Sequence, residues 1–421
     1  MLLRFRTANV RSLRDEQELT FVVAEDEPSA TARRIDLAGG AVGVLPLIGV
    51  FGANASGKSN VLAAMTDMSR AVQDSYARWA SYDGTDRFPF ALDSKVGAEP
   101  SFYEVDLVLD GVRWTYGFEL GPERVEAEWL HSYPRGHRHR QVWLDRDASR
   151  AKVYDWPATR VKDRAGLERR TRPNALVLST AGTDNHPQLT PLFHWFRRNL
   201  WLIDPEVERE ERERFTTRQL SGTRAHRINE LLRVADLGIT GAEAVEKGRR
   251  GPEPRLTHRS TAGDVSLDWQ HESYGTRSWF ALLGPLLLAL DEGAVLLVDE
   301  LDASLHPRFA AEVVRLFHDP QANAKGAQLV FTSHDPSVLT TPSGGRLLEP
   351  AQVWLTEKDE DGATQVYPLT AASPGEDEDL MKSYLAGAFG AVPSLLEGQI
   401  ARRLLAVNER EREHEAERSG S

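Results

Sequence analysis

The sequence predicts an α/β protein: a mixed sheet plus an antiparallel β layer, with flanking helices, split by an inserted helical lobe. Three observations carry this. Leu45 to Phe51 (LPLIGVF) is an apolar run of buried-strand length that leads into a glycine-bearing loop and then a helical stretch. Ala294 to Glu300 (AVLLVDE) and Gln328 to Phe331 (QLVF) repeat the pattern of a short apolar strand ending in polar residues. Between these ends, residues 102–155 alternate and 187–237 read as helical.

The loop comes first. Gly52, Ala53, Asn54, Ala55, Ser56, Gly57, Lys58 and Ser59 spell GANASGKS, which fits the phosphate-cradling pattern G-x-x-x-x-G-K-[ST] without a mismatch. Backbone N–H groups of such a loop wrap phosphates, the lysine reaches the terminal ones, and the hydroxyl binds Mg²⁺. The helix read from Asn60 to Ala71 adds the polarity of its N-terminus to the anion site.

The second half of the site lies far downstream. A strand like Ala294 to Val298 is expected beside the loop strand, with Asp299 supporting Mg²⁺ and Glu300 acting as base for the attacking water. Its plain alternative is a buried strand followed by a surface turn. In LDASLHP, Pro307 and nearby Ser304 suit a helix start. His334 follows the next strand, where open α/β sheets bind ligands, and is a candidate contact for a γ-phosphate. Ser273 and Gly275 precede the apolar helical segment SWFALLGPLLLAL and make a second anion-binding helix start. Either two nucleotides bind per chain, or this start completes the site of another copy; an ordinary capped helix is the plain alternative.

Taken in order, GANASGKSN, ESYGT, VLLVDE, LDASLHP and FTSHD resemble the ABC-type ATPase heads of the SMC and RecF kind. Within that group the chain is similar to AAA-family ATPases of bacterial abortive infection, of the AbiL and RloA kind. PFALD (89–93), residues 100–120, VEAEWL (125–130), RVADLGIT (233–240) and YLAGAFGAVP (384–393) extend the match over most of the chain; it is weakest over 131–171. The resemblance implies that the loop through Asn60 binds ATP and Mg²⁺, with Ser59 and Asp299 at the metal, Glu300 polarising water and His334 sensing the γ-phosphate. It further implies that Ser273 and Gly275 form a signature loop closing on ATP held by a second copy, with Asp302 coupling the two sites. The expected unit is thus a homodimer or higher oligomer, an ATPase acting in anti-phage defence with a separately encoded effector. Two departures from the family pattern stand out. Tyr274 and Thr276 replace a glycine and the glutamine of the usual signature, and no glutamine loop is found, Gln73 falling at the end of the first helix.

The implied organisation places the loop half of the head at 1–135, an inserted β/helical lobe at 136–255, the signature half at 256–370 and a helical tail at 371–421. Within the first part, Leu2 to Val10 and Glu18 to Val23 read as strands. Phe102 to Leu109 and Val112 to Leu120 read as a hairpin about Asp110-Gly111, with further strands near Ala127 to Tyr133, Gln141 to Leu144 and Lys152 to Asp155. The run EVEREERERF (206–215) is too short, and too near Pro205 and Gly222, for a coiled-coil rod. The charged tail from Asn408 is expected to fray or be disordered.

Composition bounds the rest. The 421 residues carry a net charge of −12, no cysteine and 41% hydrophobic residues. Disulfides and thiolate metal sites are excluded, and a reducing, cytoplasmic setting is expected. The longest apolar stretch, Trp279 to Leu290, is too short to span a bilayer. Nucleic acid stays open as a partner: the acidic balance argues against a general coat, while the clusters 135–140 (RGHRHR) and 160–172 read either as a solvated face or as a nucleic-acid surface. No acidic–His–Asn spacing accompanies His137 and His139 to suggest a nuclease. The competing functions are a RecF- or SMC-like DNA-repair clamp and a scaffold that binds ATP without turnover.

Overall fold

The computed structural model describes residues 1–24, 29–81, 83–137, 139–157, 160–203, 209–235, 238–248, 251–303, 305–341, 344–393 and 398–419. Two units separate, Met1–Ala391 and Val392–Ser421. The expected architecture is present: a mixed sheet, an antiparallel layer and flanking helices.

The chain enters through β1 (Leu2–Ala8) and β2 (Gln17–Thr20), then a small hairpin of β3 (Arg33–Leu37) and β4 (Gly40–Val44). The loop strand β5 (Leu47–Gly52) is buried at every residue and runs into helix α1 (Lys58–Asp74). After α2 (Ser94–Ala98) come β6 (Ser101–Leu109), β7 (Val112–Leu120), β8 (Val125–Tyr133), β9 (Gln141–Asp147) and β10 (Tyr154–Asp155). With β1 and β2 they form a seven-stranded antiparallel sheet, ordered β10-β9-β8-β7-β6-β1-β2. Asp110 and Gly111, with φ of +51° and +73°, make the β6–β7 turn, the positive-φ pair that matches strand twist.

Helices α3 (Arg164–Arg170), α4 (Val177–Thr183) and α5 (Thr190–Asn199) follow, and their apolar residues share one core with α1 and the antiparallel sheet. Buried Glu128 on β8 fastens the first turn of α4, accepting the N–H groups of Val177 (2.7 Å) and Leu178 (3.0 Å). The stretch 187–237, read as helical from sequence, contains a strand, β11 (Leu200–Ile203). Four apolar residues are too few for periodicity to separate strand from helix; pairing with a neighbouring strand decides. Next stand α6 (Arg209–Gln219), α7 (Ala225–Ala235) and a three-stranded sheet of β12 (Ile239–Glu246), β13 (Pro252–His258) and β14 (Val265–Asp268). Pro205 and residues 206–208 of the acidic–basic run lie outside the described residues, as do Asp236 and Leu237.

The last part holds α8 (Tyr274–Glu292), β15 (Val295–Val298), α9 (Pro307–His318), β16 (Gln328–Ser333), β17 (Val353–Lys358), β18 (Thr364–Pro368) and α10 (Leu380–Leu385). The central sheet is ordered β11-β15-β16-β5-β17-β18, parallel except for β17–β18. The acidic strand β15 is therefore not beside the loop strand, contrary to expectation, because β16 lies between them. Sequence shows two buried strands but not their lateral order, which the crossovers fix. Gln328 locks the two large sheets together, accepting the N–H of Leu2 (2.6 Å) and donating to its carbonyl (2.8 Å).

Pro285 sits inside α8 and has no N–H to give the carbonyl four residues back. Thr216 of α6 fills the gap, its hydroxyl lying 3.5 Å from the Ala281 carbonyl while accepting the Gly284 N–H at 3.1 Å. Gly284 permits this approach, since a Cβ there would collide with Thr216. The second unit contains α11 (Gln399–Ser419), so the charged run from Asn408 is helical to Ser419.

Candidate nucleotide site

Loop 52–59 leaves the C-terminal end of β5, as its pattern requires. Gly57 caps α1 at φ +105°, and a Cβ there would run into Thr364 Oγ1 and lie 2.9 Å from Ser12 Oγ. Ala55 takes φ +63°, and Ser56 N–H closes a turn on the Ala53 carbonyl (3.1 Å). Lys58 is 7% exposed and donates to the carbonyls of Gly52 (2.8 Å) and Ala53 (3.0 Å). Burial lowers its pKa, while attraction from Glu300, Asp299 and Asp302 opposes that shift.

A chain of hydroxyls holds the loop from below. Ser56 Oγ pairs with Thr356 Oγ1 of β17 (2.6 Å), and Thr364 Oγ1 of β18 donates to the Ser56 carbonyl (2.9 Å). Ser12 Oγ meets Thr364 Oγ1 (2.7 Å), and Asn60 donates to the same Ser12 oxygen (2.7 Å). Asn60 thus braces the loop against the turn after β1.

Asp299 and Glu300 follow β15. Ser59 Oγ donates to Asp299 Oδ1 at 3.1 Å, joining residues 240 positions apart in the chain. Thr332, near the end of β16, donates to the same oxygen (2.6 Å) and accepts the Glu300 N–H (2.7 Å). Two residues on, His334 Nε2 lies 3.3 Å from Asp302 Oδ2, the histidine side chain about half exposed and the aspartate side chain buried. Sequence reasoning gives no role to Thr332, Ser12, Thr356 or Thr364. For Thr332 a signal exists: it stands at the C-terminal end of the strand that precedes His334, the edge where open α/β sheets bind ligands.

Asp299, Ser59 and Lys58 are brought together; Ser273 and Gly275 are not. Among the described residues no hydrogen bond joins either to the loop. Ser273 caps α8, accepting the Thr276 N–H at 3.1 Å, and Ser273, Tyr274 and Gly275 are all exposed. The neck behind them is held by buried Glu213 of α6, which accepts Trp269 Nε1 (2.8 Å) and pairs with Arg277 (3.1 Å). Gln73 donates to Ser69 Oγ (2.9 Å), and fifteen residues along α1 put it about 22 Å from Lys58, out of reach of the site. Helix α9 is capped by His306, whose Nδ1 accepts the Arg308 N–H (3.2 Å); Ser304 lies outside the described residues.

Among the described residues of the basic clusters, Arg164 and Arg172 are half-buried, while Arg135, Arg140, Arg160, Lys162, Arg169 and Arg170 are exposed. Arg164 donates to the Val161 and Trp156 carbonyls, Arg172 to those of Ser75 and Tyr76, and Arg135 to that of Asp36. Arg170 pairs with Asp163 and Asp184. Arg138 lies outside the described residues. No helix among the described residues is long and apolar enough to cross a membrane.

These features mark a phosphate-loop α/β protein with an acidic strand end and a histidine at the C-terminal ends of the parallel strands of one mixed sheet. Residues 47–340, well over half the chain, match the family described as "AAA domain, putative AbiEii toxin, Type IV TA system". The chain belongs to that AAA ATPase-domain family. No curated protein sequence matches it. Among solved structures, the SMC head domain from Thermotoga maritima aligns with a TM-score of 0.41 and 14% identity, over 87% of this chain and 98% of that one. A likeness of outline at this level says nothing about activity.

Proposed function

We propose that this protein is an ATP-binding and ATP-hydrolysing switch. ATP is sandwiched between the phosphate loop of one copy and the Ser273–Gly275 helix start of another. The observation that carries the reading is the convergence of Lys58, Ser59, Asp299 and Glu300, drawn from distant parts of the chain, at one sheet edge.

The donors suit Mg²⁺. Ser59 and Asp299 are hard oxygen ligands 3.1 Å apart, and no group of three or more acidic or imidazole ligands occurs among the described residues. One or two protein oxygens plus phosphates is how Mg²⁺ is ordinarily held. When bound, the ion neutralises charge on the β- and γ-phosphates. On the protein's side, Lys58 exchanges its two carbonyl bonds for charge-assisted bonds to phosphate. Glu300 orients the attacking water and takes its proton. His334, held by Asp302, contacts the γ-phosphate.

The exposed signature start adds the Ser273 hydroxyl and helix N-terminal N–H groups to a phosphate that hydrolysis removes, so nucleotide state biases a two-state interface between copies. The family's toxin–antitoxin description supports a place in bacterial anti-phage defence. There the chain serves as sensor ATPase and a separately encoded protein as effector.

The test is the solution mass of Glu300→Gln with and without Mg-ATP, beside the Glu300→Gln/Ser273→Arg double variant. The expected result is an ATP-dependent mass increase that the double variant loses. A mass independent of nucleotide in both would overturn the switch.

A further inference from the structure

We propose that Thr332 is a positioning residue that sets both acids of the site, and that β16 is thereby the element holding the hydrolytic loop in register. This rests on the ATPase reading above. Thr332 is fully buried, and its single hydroxyl makes two directed bonds. Its proton goes to Asp299 Oδ1 (2.6 Å), which leaves a lone pair for the Glu300 N–H (2.7 Å). Its carbonyl accepts the next N–H, that of Leu301, at 3.0 Å. One residue therefore grips three consecutive positions of the loop after β15.

The grip matters because Glu300 is in an unfavourable conformation. Its φ is +46°, a left-handed setting that is costly for a side chain of this type. Such a backbone persists only where its surroundings over-determine it. Here the Glu300 N–H is tied to Thr332, the Leu301 N–H to Thr332, and the Glu300 carbonyl to the Ala303 N–H (2.9 Å). Without the hydroxyl, Glu300 loses the first tie and can relax toward ordinary φ, which swings its carboxylate away from the water it must orient. Asp299 would at the same time keep only the Ser59 donor on Oδ1.

His334 lies two residues on from Thr332, just past the end of the same strand, and pairs with Asp302. Asp299, Glu300 and Asp302 thus each have one tie to β16 or the residue that follows it. Lying between β15 and the loop strand, β16 is placed to serve both.

The experiment is steady-state ATP hydrolysis and equilibrium ATP binding by full-length Thr332→Val, Thr332→Ala and Thr332→Ser, with wild type and Glu300→Gln as references. Valine keeps the volume and removes the hydroxyl; serine restores it. The expected result is a fall in kcat of about 10- to 100-fold for valine and alanine. ATP affinity and KM should stay within about threefold, and serine should recover most of the rate. Valine turning over like wild type would overturn the proposal, as would equal loss of kcat and affinity, or failure of both hydroxyl-free variants to fold. Glu300→Gln matching wild type would instead sink the ATPase reading itself, so the two failures are distinct.

Discussion

Two helix starts in this molecule are built from the same parts, a serine and a glycine at the N-terminus of an apolar helix, and are treated in opposite ways. The start of α1 is gripped from several sides. Ser12, Thr356, Thr364 and Asn60 brace its loop, and Lys58 is folded onto it. The start of α8 presents Ser273, Tyr274 and Gly275 to solvent, with Tyr274 56% exposed, while its neck is fixed by Glu213. A site that must bind tightly is pre-organised within one chain, because a loop already in shape loses little entropy on binding. On the proposed reading, the start that a second copy completes is left open to solvent.

The sharpest way to break this contrast is Lys58→Ala, which should abolish ATP binding measured by calorimetry; retained affinity would end the assignment of the loop. Glu300→Gln should keep binding and lose turnover by at least about 100-fold, read as phosphate release. Ser273→Arg sharpens the other side. ATP affinity of the isolated chain should stay within about threefold, while turnover becomes independent of protein concentration, because only the contact between copies is lost.

Smaller effects probe the supports. Thr364→Val removes one neutral hydrogen bond to the loop and one to Ser12, worth about 0.5–1.5 kcal/mol each. It should weaken ATP binding by about 2- to 10-fold per bond with little change in kcat. Glu213→Gln should lower stability in urea by about 1–3 kcal/mol, the scale of a weakened buried charge-assisted bond. Finally, burial lowers the Lys58 pKa from its ordinary 10.5. Since the charged form binds phosphate, the alkaline fall in kcat/KM, which reports the free enzyme, should be centred below that value. A fall centred on or above it would mean that the three nearby carboxylates outweigh burial.

Much of the fold and of the site is legible in the amino-acid sequence. The loop pattern, the two strand ends with their acids and histidine, and the hairpin at Asp110-Gly111 all rest on local rules, and each lies at or within a few residues of its expected place. What the sequence hides has a common cause. Strand β11, the three-stranded sheet that precedes α8, the interposition of β16, and the roles of Thr332, Thr356 and Thr364 depend on partners far away in the chain. A threonine in a strand carries no mark of whether its hydroxyl will meet a loop 308 residues away, as Thr364 meets Ser56.

Local sequence was enough to name the groups on offer: a loop of phosphate-cradling pattern, a serine hydroxyl, an aspartate, a glutamate, a histidine and a second helix start. Turn geometry, capping and strand burial act over a few residues, so the chain states them locally. Which of these groups stand together, and how they are aimed, followed from long-range packing. It set Ser59 against Asp299, bent Glu300 to positive φ under Thr332, parked Lys58 on its own loop and left Ser273 facing outward. Those outcomes follow from the lateral order of strands and from hydrogen bonds across hundreds of residues, where directional bonds in a buried setting choose one arrangement among many that the local pattern permits.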